Sequence, residues 1–211
     1  FITTAMFVKE NFIPSKKKVL NIKEAWNEIP NRNLIVIMFA TAFILQLALY
    51  SIEPIVTVYV TKLAHSSVHV ALVSGLTFSV SGLASIIAAP RLGKLSDRIG
   101  ARKVILIALI AAGIVFIPQA FVKNPWQLMM LRFVLGLATA GLTPSVNVIV
   151  RKISPEHLIG RIFGFSISAQ YLGTFSGSIL GGQIASRFGI RSVFIVTGSL
   201  LLANLFGYIK L

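Results

Sequence analysis

Six long apolar runs separated by short polar stretches organise this chain. They fall at about 34–61, 68–90, 104–122, 126–149, 162–185 and 190–209, and each approaches or exceeds the roughly 20 residues a helix needs to cross hydrocarbon. The pattern predicts an all-α integral membrane protein, a six-helix transmembrane bundle over residues 34–211. The first run is overlong and carries Glu53-Pro54, so a tilted or kinked helix is expected there. The fourth is interrupted by Arg132 and Pro144. Glycine and serine are frequent in the second and fifth runs, which suits close helix packing in lipid.

Composition agrees: 55% of the residues are hydrophobic, 12% are charged, and mean hydropathy is +0.85. A soluble domain with so few charges would expose more apolar surface than it tolerates. The net charge of +14 first suggests nucleic acid or a lipid surface, but the position of the charges removes nucleic acid as a partner. Six spans leave both ends on one side of the membrane, and the loops of that side hold 15 of the 20 basic residues. The positive-inside rule then places both termini, and the loop containing Arg91, Lys94, Arg98, Arg102 and Lys103, in the cytoplasm, with the bundle in the plasma membrane. With no cysteine, a disulfide framework and thiolate chemistry are excluded.

The amino end departs from the pattern. Residues 1–8 are apolar but too short to span, and a polar stretch follows to Asn33. The expectation is the end of a preceding transmembrane helix at 1–8 and a cytoplasmic linker at 9–33, so that the chain is half of something longer. Within the linker, residues 21–29 suit a short amphipathic helix with Ile22, Trp26 and Ile29 on one face; a plain hydrophilic tether is the alternative.

Shifting the chain by 89 residues lays Gly93–Val104 over Gly182–Val193. Gly93, Arg98, Gly100, Arg102 and Val104 match Gly182, Arg187, Gly189, Arg191 and Val193. Three spans separate the copies, so they face opposite sides, which predicts two inverted three-helix repeats. Asp97 has no counterpart, Ser186 standing in its place.

The charged stretch Gly93–Lys103 resembles motif A of the major facilitator superfamily in its second occurrence, between the eighth and ninth of twelve spans. Arg132-Phe-Val-Leu-Gly136 is similar to that family's buried-arginine motif, and Ser154–Arg161 to the cytoplasmic loop before the eleventh span. Gly173, Gly177, Gly181 and Gly182 resemble the helix-packing glycine motif of drug/proton antiporters, with Ser178 where that motif has proline. The resemblance implies the carboxy-terminal half, spans 7–12, of a multidrug efflux transporter whose partner is an amino-terminal six-span half. It implies that Asp97, supported by Gly93, Arg98, Gly100 and Arg102, latches the two halves together when the transporter opens outward. A carboxylate at a membrane rim can bond the N-terminal amides of a neighbouring helix; the plainer reading is a surface charge offsetting Arg98 and Arg102.

Polar groups inside the spans are candidates for a cavity or for proton coupling: Glu53, Arg132, Gln46, Tyr50, Asn147, Gln170 and Tyr171. Arg132 either snorkels outward or pairs with Glu53. Glu53 is either a proton site in low dielectric or a solvated helix end. The uncharged groups either line a cavity or join helices. Phe39, Phe43 and Phe78 offer aromatic surface to a drug or to lipid. His65 and His69 have the spacing of a metal pair but no third ligand, so no metal is expected. No nucleotide- or dinucleotide-binding glycine motif occurs, so no cofactor is expected, and no catalytic constellation suggests an enzyme. The function expected is proton-coupled export of small amphipathic drugs by alternating access. The alternatives are a sugar or metabolite porter of the same superfamily, and a non-transporting half-length membrane protein that binds a partner.

Overall fold

A computed structural model of the chain describes residue 21, residues 26–64 and residues 69–209. The readings made for residues 1–20, for Ile22 and for His65 lie outside these residues. The described helices are α1 (Arg32–Tyr50), α2 (Glu53–Leu63), α3 (Val70–Ile99), α4 (Ala101–Phe116), α5 (Pro125–Thr139), α6 (Leu142–Ile153), α7 (Ile159–Phe188) and α8 (Ile190–Ile209). A 3-10 turn over Ile117–Phe121 prolongs α4, and another over Glu156–Leu158 leads into α7.

Two spans are broken. The first divides at Ser51-Ile52, where Pro54 sits in the opening turn of α2 and its missing N–H leaves nothing unsatisfied. The fourth divides at Ala140-Gly141, with Pro144 likewise in the first turn of α6. Arg132, expected to interrupt this span, instead lies in mid-α5 without disturbing the helix. The charged stretch Gly93–Lys103 is also not a loop. Helix α3 runs through it to Ile99, and the turn is Gly100 alone, with φ +91°. Gly189 ends α7 in the same way, with φ +87°. Both lie where L side chains are strained, so these two glycines of the repeat are required by backbone geometry.

Four segments are both long and apolar enough to cross a membrane: Arg32–Leu63, Val70–Ile99, Ala101–Phe121 and Pro125–Ile153. Helix α7, with 30 residues, reaches about 45 Å, and the glycines and serines along it dilute its apolar character. Helix α8, 20 residues long, reaches about 30 Å. These two complete the six-helix bundle.

The packing shows the inverted repeat. The closest partners are α1 with α7, α3 with α5, and α4 with α8. In span order these are first with fifth, second with fourth, and third with sixth. Advancing every span by three places turns the first pair into the second and returns the third to itself, as two superposable three-helix units demand.

Glycine permits each close approach. A Cβ on Gly173, Gly177 or Gly181 would collide with the α1 carbonyl oxygens of Phe43, Leu47 and Ser51 respectively. Gly136 of α5 lies against the Ser81 carbonyl of α3, and the Ser85 hydroxyl donates to the Gly136 carbonyl at 3.1 Å or to that of Ser81 at 3.0 Å. On the third pair, a Cβ on Gly198 would lie 2.9 Å from the Gly113 carbonyl oxygen. Gly182, grouped with the α7 glycines by sequence, has open space around its Cα and takes no part in this seam. Gly181→Ala is therefore expected to destabilise the bundle by about 1–3 kcal/mol through overpacking, while Gly182→Ala leaves stability unchanged or slightly raised. Reversible unfolding in mixed micelles measures both.

Candidate functional site

The residues expected to form a latch occupy one end of the bundle. Asp97 is exposed in the last turn of α3, and Arg98 beside it is also exposed. Among the described residues, Asp97 makes no hydrogen bond or ion pair within the chain. Its carboxylate sits at the negative end of its own helix dipole, an unfavourable place unless something else uses the charge. Gly93 has open space around it, so its lack of a side chain serves no contact within this chain. Arg102, in the first turn of α4, stands beside the buried Tyr208 hydroxyl of α8 and borders a polar crevice formed with residues 27–34.

Near the middle of the bundle, Gln46 of α1 and Gln170 of α7 line one narrow cleft together with Thr143 of α6. They meet because the α1–α7 glycine seam brings the two backbones together at this level. Tyr50 and Asn147 are half-buried nearby in sequence, on α1 and α6. Tyr171 does not join them. At 100° per residue it projects from the side of α7 opposite Gly173, and it is 71% exposed. Phe39 lines a separate groove, Phe43 faces the Gly173 seam with its carbonyl, and Phe78 is half-buried against the core.

Arg132 is 5% exposed, and its Nε and Nη2 atoms have no partner among the described residues. It is packed inside the protein, so the snorkelling reading does not hold. Glu53, exposed at the start of α2, is the carboxylate whose charge acts on it, without a direct ion pair. A guanidinium held this way is costly in a membrane protein. Among the described residues, no group of His, Asp and Glu could hold a metal ion.

The family model described as "Major Facilitator Superfamily" matches residues 38–211. The chain belongs to the Major Facilitator Superfamily. It is 42% identical over 205 residues, 97% of its length, to "Multidrug resistance protein MdtG" of Salmonella paratyphi C. The proteins of that name from Salmonella newport and Salmonella typhi match to the same extent. The match takes in 51% of the Salmonella paratyphi C protein, so the chain spans about half the length of the curated relatives it matches. Membership of a transporter superfamily places this multi-pass membrane chain outside the enzymes.

Several polar ties of this Major Facilitator chain escaped the sequence. The Ser51 hydroxyl meets that of Thr197 at 3.0 Å, and Asn204 Nδ2 donates to Thr41 Oγ1 at 3.2 Å, both joining α1 to α8. The Tyr59 hydroxyl donates to the Gln119 carbonyl at 3.0 Å. Asn204 is visible as a lone amide in an apolar run; serine and threonine give no such signal, because they bond their own helix equally well. The described part of the linker is also docked. Ile29 is buried, and Glu28 pairs with His157 at 2.6 Å. Two substitutions separate the turn from the exposed carboxylate within the charged stretch. Gly100→Ala should cost about 1–3 kcal/mol of stability, whereas Asp97→Asn should stay within about 0.5 kcal/mol. Unfolding of the purified chain in detergent distinguishes them.

Proposed function

We propose that the chain is the carboxy-terminal half of a twelve-span secondary transporter that exports small amphipathic drugs in exchange for protons. The observation that carries this reading is the 42% identity, along nearly the whole chain, to a protein named for multidrug resistance. That name favours drug export over the sugar or metabolite porter. A half-length protein acting only by binding a partner is less well supported, because the buried Arg132 is a costly placement that a passive module does not need.

In this reading both ends lie in the cytoplasm and the bundle in the plasma membrane, on the distribution of basic residues. The stretch before Arg32 joins the two halves. The substrate binds between them near the midplane, where Gln46 and Gln170 offer hydrogen bonds. Asp97 is the latch. Its exposed carboxylate, supported by Arg98 and the turn at Gly100, caps a helix of the amino-terminal half in the outward-open state. Glu53 takes and releases the proton, with the buried guanidinium of Arg132 as the opposite charge at that depth.

Co-expression tests the assembly. In an efflux-deficient host the chain alone should export nothing, and a matching amino-terminal half should restore resistance; activity of the chain alone overturns the half-transporter reading. In the restored pair, Asp97→Asn should lower export about two- to fivefold, the scale of one helix-dipole contact. Glu53→Arg and Arg132→Glu should each abolish export, and the double exchange should recover part of it. Full transport by either single variant removes these residues from the coupling.

A further inference from the structure

Two polar ties join α1 to α8, and the transport reading uses neither. The hydroxyls of Ser51 and Thr197 lie 3.0 Å apart, with both residues buried. Ser51 also donates to the Ala48 carbonyl at 2.9 Å. A hydroxyl has one hydrogen, so Thr197 is the donor to Ser51, and the pair forms a short relay ending on the α1 backbone. Lower on α1, Asn204 Nδ2 donates to the Thr41 hydroxyl at 3.2 Å, and Thr41 is wholly buried.

These ties bracket Gln46. Thr41 precedes it by five residues and Ser51 follows it by five. At 100° per residue each points about 140° away from Gln46, on either flank of the line directly opposite it. Helix α8 therefore grips the back of α1 above and below the level at which Gln46 faces the cleft it shares with Gln170. The walls of that cleft come from α1, α6 and α7, so α8 acts on it from behind.

The glycine seam fixes how closely α1 approaches α7, but a face without side chains offers little to interlock, and α1 can turn against it. A glutamine amide stands about 5–6 Å from its helix axis, so each 10° of rotation carries it about 1 Å. That displacement is enough to take a hydrogen bond out of range. Directional bonds on the far side of α1 supply what the seam lacks. We propose that Thr41, Ser51, Thr197 and Asn204 are positioning residues for drug binding, given that the Gln46–Gln170 cleft belongs to the substrate site, as the transport reading has it. They set the rotation of α1 about its axis and so the place of the Gln46 amide.

The chain contains no cysteine, so a disulfide between Gln46→Cys and Gln170→Cys reports the alignment of α1 and α7. With a mild oxidant in detergent, Thr197→Val and Asn204→Leu should each slow its formation about threefold, the factor that one interhelical hydrogen bond commands in a membrane protein, and together roughly tenfold. Thr197→Ser, which keeps the hydroxyl and loses volume, should leave the rate unchanged. In the chain reunited with a matching amino-terminal half and carrying Gln46 and Gln170, Thr197→Val and Asn204→Leu should each raise the KM for drug about threefold and keep the maximal rate within about a factor of two. An unchanged disulfide rate in the double variant overturns the proposal and leaves the transporter reading untouched. A rate lowered by Thr197→Ser but not by Thr197→Val overturns it as well, since packing would then hold the helix. A slowed disulfide with an unchanged KM removes the cleft from the substrate site, and the positioning role with it.

Discussion

The contact on which this bundle depends is backbone against backbone, the α7 glycines Gly173, Gly177 and Gly181 lying on the α1 carbonyls of Phe43, Leu47 and Ser51. Lipid tails are as apolar as leucine, so burial of apolar surface does little to hold helices together in a membrane; dispersion at close approach has to do it. Three glycines one turn apart let α1 and α7 touch along three successive turns. That seam fixes the height at which Gln46 meets Gln170. Its last contact falls at Ser51, where α1 ends, so the broken first span is braced at its break. The hydroxyls of Ser51 and Thr197 then tie the same point to α8.

The inverted repeat restates this constraint with the residues exchanged. Under the 89-residue shift Gly136 corresponds to Leu47, and Ala84 to Gly173. In one unit the glycine belongs to α5 and presses on the Ser81–Ala84 turn of α3; in the other it belongs to α7 and presses on α1. What the two units share is the distance between helices, and either helix of a pair can supply the missing side chain. The turn glycines, Gly100 and Gly189, do recur position for position, because a positive φ belongs to one residue and cannot be moved to a neighbour.

Against this tight frame, two charged groups stand out. Arg132 is buried with two donor atoms that have no partner among the described residues, and Asp97 is exposed at the unfavourable end of its helix. Neither contributes to the packing that holds the six spans. The described part of the linker forms a different layer, docked through the buried Ile29 and the Glu28–His157 pair.

The sequence by itself determined the six elements, because an apolar run long enough to span hydrocarbon has few other fates, and it determined the two turns, because a paired glycine and arginine pattern marks a sharp reversal outside the membrane. It misjudged the charged stretch as a loop: charges report exit from the membrane, but a helix of 30 residues outreaches the roughly 30 Å of hydrocarbon and stays helical in the charged layer. Which polar residues share a site was decided by the tertiary structure alone. Gln170 and Tyr171 are neighbours in the chain with the same promise, and one step of 100° puts the first in the cleft and the second outside it. The same holds for Gly181 and Gly182, of which one meets a carbonyl and the other nothing. Helical phase can be counted along a sequence, but the face that meets a neighbour is set only when the helices pack.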